Sequence, residues 1–349
     1  MSTHSINSTD DSPQPLVLAI ESSCDETAVA IARGTEHILC SEVSSQIELH
    51  KPHGGVVPEV ASRNHNLTLP PLIKVALKSA GLEIGQIDAV AATAGPGLAS
   101  SLLIGNTTGK ALALALQRPF YSINHMEGHL LSPFIGDPEG IRPCVALIVS
   151  GGHTMLVHLR SVGDYTLLGR TRDDAAGEAF DKVGKMLGLP YPGGPEIDHL
   201  AVSGNAKAFD FPRSMIGSGD FAFSFSGLKT SVRYLLPKLD GPLENHLADI
   251  CASFQKAVTD VLVKKTLKAA AQCNEKLITI SGGVSCNRGL RLAFQEACEQ
   301  SGHQLQLAEG ELCTDNAAMI AYTAAAKLAI GVPPSVLDED IDPNLSLTS

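Results

Sequence analysis

The sequence predicts an α/β protein built from two similar halves. Two segments, "LVLAIESSCDETAVAIA" from Leu16 and "CVALIVSGGHTMLVHL" from Cys144, each place a short polar turn between two apolar runs, a pattern typical of a β-hairpin. Long stretches with apolar residues at helical spacing lie between and after these segments. Because a hairpin opens each half of the chain, we expect an internal duplication.

The remaining elements follow from the same periodicities. The runs 28–32 and 155–159 after the two turns are strand-like, which completes the hairpins. A third apolar strand, "KLITISGG" from Lys276, is followed by "VSCNRGLRLAFQEACEQSG", whose spacing predicts a helix. Further helices are predicted over 67–82, 97–117 and 244–273.

Composition excludes several classes of protein. The chain of 349 residues is 44% hydrophobic, enough for substantial cores, and its net charge of −11 disfavours a protein coated in basic surface for nucleic-acid binding. Its eight cysteines contain no C-x-x-C pair, so neither a disulfide framework nor a cysteine zinc cluster is expected, and a reduced cytoplasm fits best. No uninterrupted apolar stretch reaches membrane-spanning length.

The two ends of the chain predict irregular structure. The first fifteen residues lack arginine and an apolar run, so we expect a disordered tail and neither a signal nor a transit peptide. The last segment, "PPSVLDEDIDPNLSLTS", is acidic and contains prolines, which also predicts an irregular tail.

The stretch "HMEGH" has the spacing of a metal-ligand pair. His125 and His129 lie four residues apart, so on a helix both imidazoles would face the same side. Such a pair is more often structural than metal-binding, and a third ligand would change that balance. Asp315, at the start of the helical run "TDNAAMIAYTAAAKLAI", offers one, although "TDNAA" alone is also typical of a helix N-cap. Two imidazoles and one carboxylate suit iron(II) or zinc with open positions for substrate.

Two familiar site motifs are absent. A zinc protease needs H-E-x-x-H, whereas Glu127 stands two residues after His125 and would point away from it. The segment "IGNTTGKA" resembles a P-loop, but Gly105 and Gly109 are one residue too close and Ala111 follows the lysine. It is better interpreted as a packed helix with small residues.

The small turns indicate a nucleotide site. "ESSCDE", "VSGGHT" and "SGGVSCN" would let backbone N–H groups approach a phosphate, although Gly151 and Gly152 could simply permit a tight hairpin. Asn287 would then lie at a helix start, near a nucleobase or ribose. Asp181 and Asp198 flank "YPGGPE" and could accept hydrogen bonds from ribose hydroxyls or an ammonium group, or be solvated surface charges.

Taken together, the motifs resemble a known family. "ESSCDET", "HGGVVPEVASRNH", "AGPGLASSL", "HMEGH", "IVSGGHT", "EAFDKVGKMLGLPYPGGPEID", "FSFSGLKT", "SGGVSCN" and "CTDNAAM" are similar to those of the tRNA N6-adenosine threonylcarbamoyltransferases, the TsaD family once labelled O-sialoglycoprotein endopeptidases. Archaeal and eukaryotic cytosolic relatives place a metal-contacting tyrosine where this chain has Ile148, so "LIVSGGHT" resembles the bacterial and mitochondrial branch.

The resemblance implies an actin-like fold of two duplicated ribonuclease-H-like domains with a cleft between them. The implied division is a disordered tail at 1–15, a first domain at 16–131 plus 316–331, a second at 132–315, and an irregular tail at 332–349. It also implies that the positions matching His125, His129 and Asp315 bind one divalent metal per subunit, iron(II) or alternatively zinc. The positions that the resemblance implies contact the substrate are Ile148, Val149, Ser150, Gly151, Gly152, Asp181, Gly194, Asp198 and Asn287.

The implied reaction transfers a threonylcarbamoyl group from threonylcarbamoyl-AMP to N6 of the adenosine 3′ of the anticodon in tRNAs that read codons beginning with A. Such a mixed anhydride is already activated, so positioning and charge stabilisation suffice. Asp25 or Glu26, in the first turn, is the candidate that orients the attacking amine or takes its proton.

The implied partners are tRNA and, if the protein is bacterial, a TsaB-like paralogue and a TsaE-like ATPase, in a homodimer or heterodimer and in the cytoplasm. Three competing classes share the fold or the old family label. A nucleotide-gated binding protein would not need two histidines converging with Asp315. A metallopeptidase is disfavoured by the position of Glu127, and a sugar kinase would need a sugar-binding aspartate base, a role to which no aspartate of the sequence can be assigned.

Overall fold

The computed structural model describes residues 14–348 and contains two five-stranded sheets. The first sheet consists of β1 Leu16–Glu21, β2 Glu26–Arg33, β3 His37–Ser45, β4 Ala89–Gly95 and β5 Phe120–Asn124. The second consists of β6 Cys144–Val149, β7 Thr154–Ser161, β8 Asp164–Arg170, β9 Leu277–Ser281 and β10 Gln304–Leu307.

The two sheets share one topology. Their strand orders are β3-β2-β1-β4-β5 and β8-β7-β6-β9-β10. Each opens with a three-stranded antiparallel meander and continues with two strands parallel to the first strand of the meander. The predicted duplication and both predicted hairpins are therefore confirmed. The third strands, β3 and β8, were not predicted, because their alternating exposed residues include few apolar ones.

Eleven α-helices surround the sheets within residues 14–348. They are α1 Ile47–His50, α2 Pro58–Ala80, α3 Ala99–Leu116, α4 His125–Leu131, α5 Ala176–Met186, α6 Gly193–Ala201, α7 Ser226–Leu235, α8 Leu247–Cys273, α9 Arg288–Ser301, α10 Gly310–Cys313 and α11 Ala317–Ala329. The four helices predicted from spacing correspond to α2, α3, α8 and α9.

Helix α2 begins earlier than its apolar spacing predicts. Pro58 occupies its first turn, where a missing N–H costs nothing, and the helix continues through Pro70 and Pro71. Both prolines, together with Asn66 and Leu67 one turn before them, are exposed, so water can bind the carbonyl groups that the prolines leave unpaired.

Both sheets are buried on their two faces, with the helices arranged in layers. In β1, Val17 and Ala19 pack towards α11, whereas Leu18 and Ile20 pack in a cluster with residues of α2 and α3. The second sheet packs one face against a large cluster that includes much of α8, and the other against α4. Strands buried on both faces explain the nearly continuous apolar runs in the sequence.

Helices α4 and α11 connect the two sheets. Helix α11 packs against the first sheet, and its Tyr322 joins the apolar cluster of the second. Helix α4 begins directly after β5 and contributes Met126 and Leu130 to that same cluster. The domain boundaries predicted at 131/132 and 315/316 stay predictions.

The C-terminal segment packs on the first half. Residues 332–348 contain no helix or strand, yet Asp342 N–H donates to the carbonyl of Ala94 at 2.9 Å and Asn124 Nδ2 donates to the carbonyl of Ser346 at 3.0 Å.

The tail predicted at 1–15 lies outside the described residues except for 14 and 15. Among residues 14–348, no helix is both long enough and apolar enough to cross a membrane.

Candidate metal centre and substrate cleft

Three predicted ligands converge between the two sheets. Asp315 Oδ1 lies 3.0 Å from His129 Nε2 and 3.4 Å from His125 Nε2. The candidate ligand atoms of the three side chains lie within 4.8 Å of one another. His129 is fully buried, whereas the side chain of Asp315 is 22% exposed, so the cluster opens to solvent on the aspartate side.

Local structure explains the position of the two histidines. Asn124 caps α4, because its Oδ1 accepts hydrogen bonds from the N–H groups of Met126 at 2.8 Å and Glu127 at 3.3 Å. The helix therefore begins at His125, and one turn later His129 faces the same side. The two rings contact each other edge to face, with centroids 4.8 Å apart.

Gly128 brings α4 close to α11, the helix that follows Asp315. A Cβ atom at Gly128 would lie 3.0 Å from Met319 Cγ and 3.0 Å from Ile320 Cδ1. The glycine that interrupts "HMEGH" thus permits close helix packing, which brings the aspartate within reach of both imidazoles.

Asp315 does not cap helix α11, although the alternative interpretation of "TDNAA" predicts that it does. Asn316 caps α11, with its Oδ1 accepting from Met319 N–H at 2.9 Å. The carboxylate of Asp315 is therefore free to face the histidines, because the neighbouring asparagine satisfies the helix.

Within the cluster, the carboxylates and the imidazoles stabilise each other's charged forms. Burial opposes the charge of Asp315, but His125 and His129 outweigh it and hold the pKa of Asp315 well below its usual range. Burial likewise opposes protonation of His125, yet the carboxylates of Asp315 and Glu21 raise its pKa well above the usual value. A divalent cation would replace a proton among the same groups.

Sequence reasoning missed two residues beside this cluster. Glu21, at the end of β1, is completely buried, and its Oε2 lies 3.0 Å from His125 Nδ1. Burial, and then the charges of His125 and His129, lower the pKa of His153, in the turn after β6, to about 4. His153 is neutral at pH 7. Its position in "SGGHT" was the only available signal.

The first turn carries the candidate catalytic carboxylates. Burial, and then the charges of Asp315 and Asp25, raise the pKa of Glu26 to about 9. Ser45 Oγ donates to Glu26 Oε1 at 3.2 Å, which acts in the opposite direction but is outweighed. Glu26 is therefore protonated at neutral pH in the absence of a metal.

The turn after β6 exposes its backbone to solvent. The side chains of Ile148 and Val149 are completely buried in the core, so only their backbone atoms could contact a ligand. Gly151 and Gly152 are exposed, and a Cβ atom on either would meet nothing within 4 Å. Ser150 Oγ accepts from His153 N–H at 3.1 Å, which closes the turn.

The other predicted substrate positions lie in α5, in α6 and at the start of α9. Asp181 Oδ1 accepts from the N–H groups of Gly193 at 2.8 Å and Gly194 at 3.4 Å. Burial raises the pKa of Asp181, although the hydrogen bonds from the N–H groups of Gly193 and Gly194 act in the opposite direction. Burial and the charges of Asp25 and Asp181 likewise raise the pKa of Tyr191.

Asp198, in α6, contacts Arg288, which directly follows Asn287 at the start of α9. Asp198 Oδ2 accepts from Arg288 Nε at 3.1 Å, while its buried Oδ1 has no partner among the described residues. Asn287 caps α9 through Leu290 N–H at 2.8 Å and donates to Gln255 Oε1 at 2.6 Å. Asn287 thus lies at a helix start, as predicted, with both ends of its amide already engaged.

Glu127 lies on the face of α4 opposite His125 and His129. Its Oε2 lies 2.6 Å from Lys327 Nζ and its Oε1 accepts from the hydroxyl of Tyr165 at 3.0 Å. The structure therefore agrees with the sequence argument against an H-E-x-x-H protease, since this glutamate cannot serve a metal held by His125 and His129. The P-loop-like segment lies inside α3, where a Cβ at Gly105 would clash with Ser22 Oγ, as a packed helix predicts.

The donor set fits a divalent metal. Two imidazole nitrogens and one carboxylate oxygen converge on one point, are mostly buried, and leave one side open. His129 Nδ1 is buried with no partner among the described residues, so Nε2, 3.0 Å from Asp315 Oδ1, is the ring nitrogen that faces the cluster.

Two duplicated halves with a buried ligand cluster between them form an actin-like fold with a candidate metal centre. Solved structures share this fold: HypF of T. kodakarensis matches with a TM-score of 0.62 and 11% identity over 91% of this chain and 49% of that chain. Component A of the (R)-2-hydroxyglutaryl-CoA dehydratase of Acidaminococcus fermentans matches with a TM-score of 0.52 and 15% identity over 90% of this chain and 99% of that chain.

Sequence comparison identifies the family. A family model described as TsaD, tRNA N6-adenosine threonylcarbamoyltransferase, matches residues 37–322. A protein of that name from Polaromonas sp. strain JS666 is 49% identical over 95% of this chain and 98% of its own length, and one from Syntrophotalea carbinolica is 48% identical over 90% and 92%. The chain belongs to the TsaD family of transferases, and the resemblance inferred from its motifs is confirmed.

Proposed function

We propose that this protein transfers the threonylcarbamoyl group from threonylcarbamoyl-AMP to N6 of the adenosine 3′ of the anticodon, position 37, in tRNAs that read codons beginning with A. The products are t6A and AMP. The observation that carries the proposal is the convergence of His125, His129 and Asp315 within a chain matched along nearly its whole length by relatives named for this reaction.

His125, His129 and Asp315 would hold the metal, iron(II) or alternatively zinc. When bound, a divalent ion supplies a fixed positive charge and open positions for oxygen atoms of the substrate. The partial exposure of Asp315 is consistent with entry of the threonyl end from the cleft.

The second half of the cleft would hold the adenylate. The open glycine turn at 150–152 offers backbone N–H groups to the phosphate, since no side chain blocks its approach at Gly151 or Gly152. The substrate positions predicted nearby are Ile148 and Val149 through their backbone, Asp181, Gly194, Asp198 and Asn287. The unpartnered Oδ1 of Asp198 is an acceptor for a ribose hydroxyl or ammonium group.

The chemistry needs no protein nucleophile. The N6 amine attacks the carbamoyl carbonyl carbon, the new C–N bond forms, and the C–O bond to phosphate breaks with AMP as leaving group. The amine must lose one proton, and Asp25 is the candidate acceptor. The raised pKa of Glu26 favours a hydrogen-bond donor at that position.

Partners and location follow from the family rather than from the geometry. We infer that tRNA is the acceptor substrate and that a TsaB-like paralogue and a TsaE-like ATPase assist, in a homodimeric or heterodimeric assembly in the cytoplasm. The net charge of −11 supports a partner that shares tRNA binding.

The experiment is single-turnover transfer of labelled threonylcarbamoyl from its adenylate to an unmodified tRNA that reads ANN codons. Wild type, His129→Ala and the exposed-histidine control His37→Ala would be compared, with and without the two bacterial partners. We expect transfer by wild type and His37→Ala and loss by His129→Ala. Absence of transfer with every partner combination, despite bound nucleotide, would instead favour a nucleotide-gated binding protein.

A further inference from the structure

Glu21 occupies a position where the fold does not require a carboxylate. It is the last residue of β1 and pairs with Ala28 in the first hairpin. Val149, the last residue of β6, occupies the same place in the duplicated hairpin and pairs with Thr154. Both positions are 0% exposed, so the second half shows that an apolar side chain satisfies this site in the fold.

The carboxylate is nevertheless fully engaged. Its Oε1 accepts from Ser23 N–H, and its Oε2 accepts from Thr93 Oγ1 at 2.6 Å and lies 3.0 Å from His125 Nδ1. Burying a carboxylate is expensive, and the cost is offset only when such donors surround it. Because the corresponding position of the second hairpin holds a valine, packing alone does not require this carboxylate, which points to a role beyond packing.

The contact with His125 determines which nitrogen of that ring is available. A neutral imidazole donates from one nitrogen and accepts at the other. A proton on Nδ1 donates to Glu21, with Ser23 Oγ also 3.2 Å away, and leaves the lone pair on Nε2, the nitrogen 3.4 Å from Asp315 Oδ1. His129 has no such support, because its Nδ1 is unpartnered among residues 14–348.

We propose that Glu21 is the positioning residue of the metal centre: its carboxylate holds the Nδ1 proton of His125, fixes the ring and leaves Nε2 as the ligand. This inference rests on the proposed metal site. Carboxylates that support metal-bound histidines in this way typically change metal affinity 10–100-fold when removed.

The test measures metal binding, not turnover. Zn²⁺ and Fe²⁺ affinities of wild type, Glu21→Gln and Glu21→Asp would be determined by competition with a chromophoric chelator, together with the visible spectrum of the Co²⁺ form. The amide can accept from only some of the three donors, so we expect Glu21→Gln to bind about 10–100-fold more weakly. Glu21→Asp, which keeps the charge, should lose less.

Glu127→Gln is the matched control. It removes a buried carboxylate from the other face of the same helix, where Glu127 contacts Lys327 and Tyr165 rather than the ligands. We expect its metal affinity to fall much less than that of Glu21→Gln, even if its thermal stability falls. Equal affinity losses in Glu21→Gln and Glu127→Gln would show a general structural effect and overturn the proposal.

A second measurement does not depend on a variant folding. In ¹⁵N-histidine spectra of the Zn²⁺-loaded wild type, His125 should show a protonated Nδ1 and a metal-bound Nε2. A metal-bound Nδ1, or a Glu21→Gln variant with wild-type affinity, would overturn the assignment of Glu21. Failure of wild type to bind any divalent metal would instead contradict the proposed metal site itself.

Discussion

Lys327 Nζ lies 2.6 Å from Glu127 Oε2, on the side of α4 that faces away from the two histidines. The side chain of Glu127 is only 4% exposed, and the hydroxyl of Tyr165, from the second sheet, donates to its other oxygen at 3.0 Å. One carboxylate thus joins α4, α11 and β8. The helix that presents the candidate ligands on one face is fixed by an ion pair on the other.

Removing the lysine should destabilise the protein. Lys327→Met would leave Glu127 buried with a single donor, and breaking a buried pair in this way costs about 3 kcal/mol in free energy of unfolding. Urea unfolding at pH 7 would measure the loss. The double variant Lys327→Met/Glu127→Gln should recover part of it, because no unpaired charge remains, and a double variant no more stable than Lys327→Met would contradict this explanation.

The N-cap of α4 links the candidate site to the C-terminal segment. Asn124→Ala removes the acceptor for Met126 and Glu127 N–H and the donor to the Ser346 carbonyl. We expect a loss of about 1 kcal/mol in free energy of unfolding from the cap alone. Asn124→Asp keeps the acceptor and loses only the donor, so it should lose less, and faster amide exchange in the first turn of α4 should accompany the alanine variant only.

Much of the fold could be predicted because its signals are local. Strands buried on both faces give continuous apolar runs, so β1, β2, β6 and β7 were visible in the sequence, whereas the half-exposed β3 and β8 were not. Four-residue spacing likewise placed His125 and His129 on one helix face, and the structure brings Asp315 to them.

The surroundings of the site could not be predicted because they depend on contacts between distant residues. Glu21 follows an apolar strand and resembles a strand end, while its partners Thr93 and His125 lie far along the chain. The sequence could not predict that Asn316, rather than Asp315, caps α11, because asparagine and aspartate are both good N-cap residues and the two are adjacent. Only comparison of the two hairpins, where Glu21 corresponds to Val149, would have identified the buried carboxylate.

The raised pKa of Glu26 predicts a pH dependence of stability in the metal-free protein. The folded state holds the proton up to about pH 9, whereas the usual value for the group is 4.5, so the folded state binds more protons between these values. The contribution of Glu26 to the free energy of unfolding is therefore greatest at low pH and falls as the pH rises from the usual pKa to the raised one. Glu26→Gln should remove this contribution, so its advantage over wild type should grow from pH 5 to pH 9.

Chemical unfolding at pH 5, 7 and 9 in the presence of a chelator measures this difference. Glu36→Gln, at an exposed carboxylate, is the control and should run parallel to wild type. Parallel curves for Glu26→Gln and wild type would rule out the effect. Added metal should reduce the slope, because a cation offsets the charge of Asp315 that contributes to the raised pKa.

The distance between α4 and α11 should control metal affinity separately from stability. In Gly128→Ala the new Cβ would press on Met319 Cγ and Ile320 Cδ1, each 3.0 Å away, while alanine favours a helix over glycine by about 1 kcal/mol. These effects oppose each other, so we expect the free energy of unfolding to stay within about 1 kcal/mol of wild type. Because the histidines lie on α4 and Asp315 directly precedes α11, small separations of the two helices spread the ligand atoms and should weaken metal binding.

Gly128→Val, with a larger side chain, should weaken metal binding further. Chelator competition beside urea unfolding would separate the two quantities, and wild-type metal affinity in both variants would show that close helix packing does not set the ligand geometry.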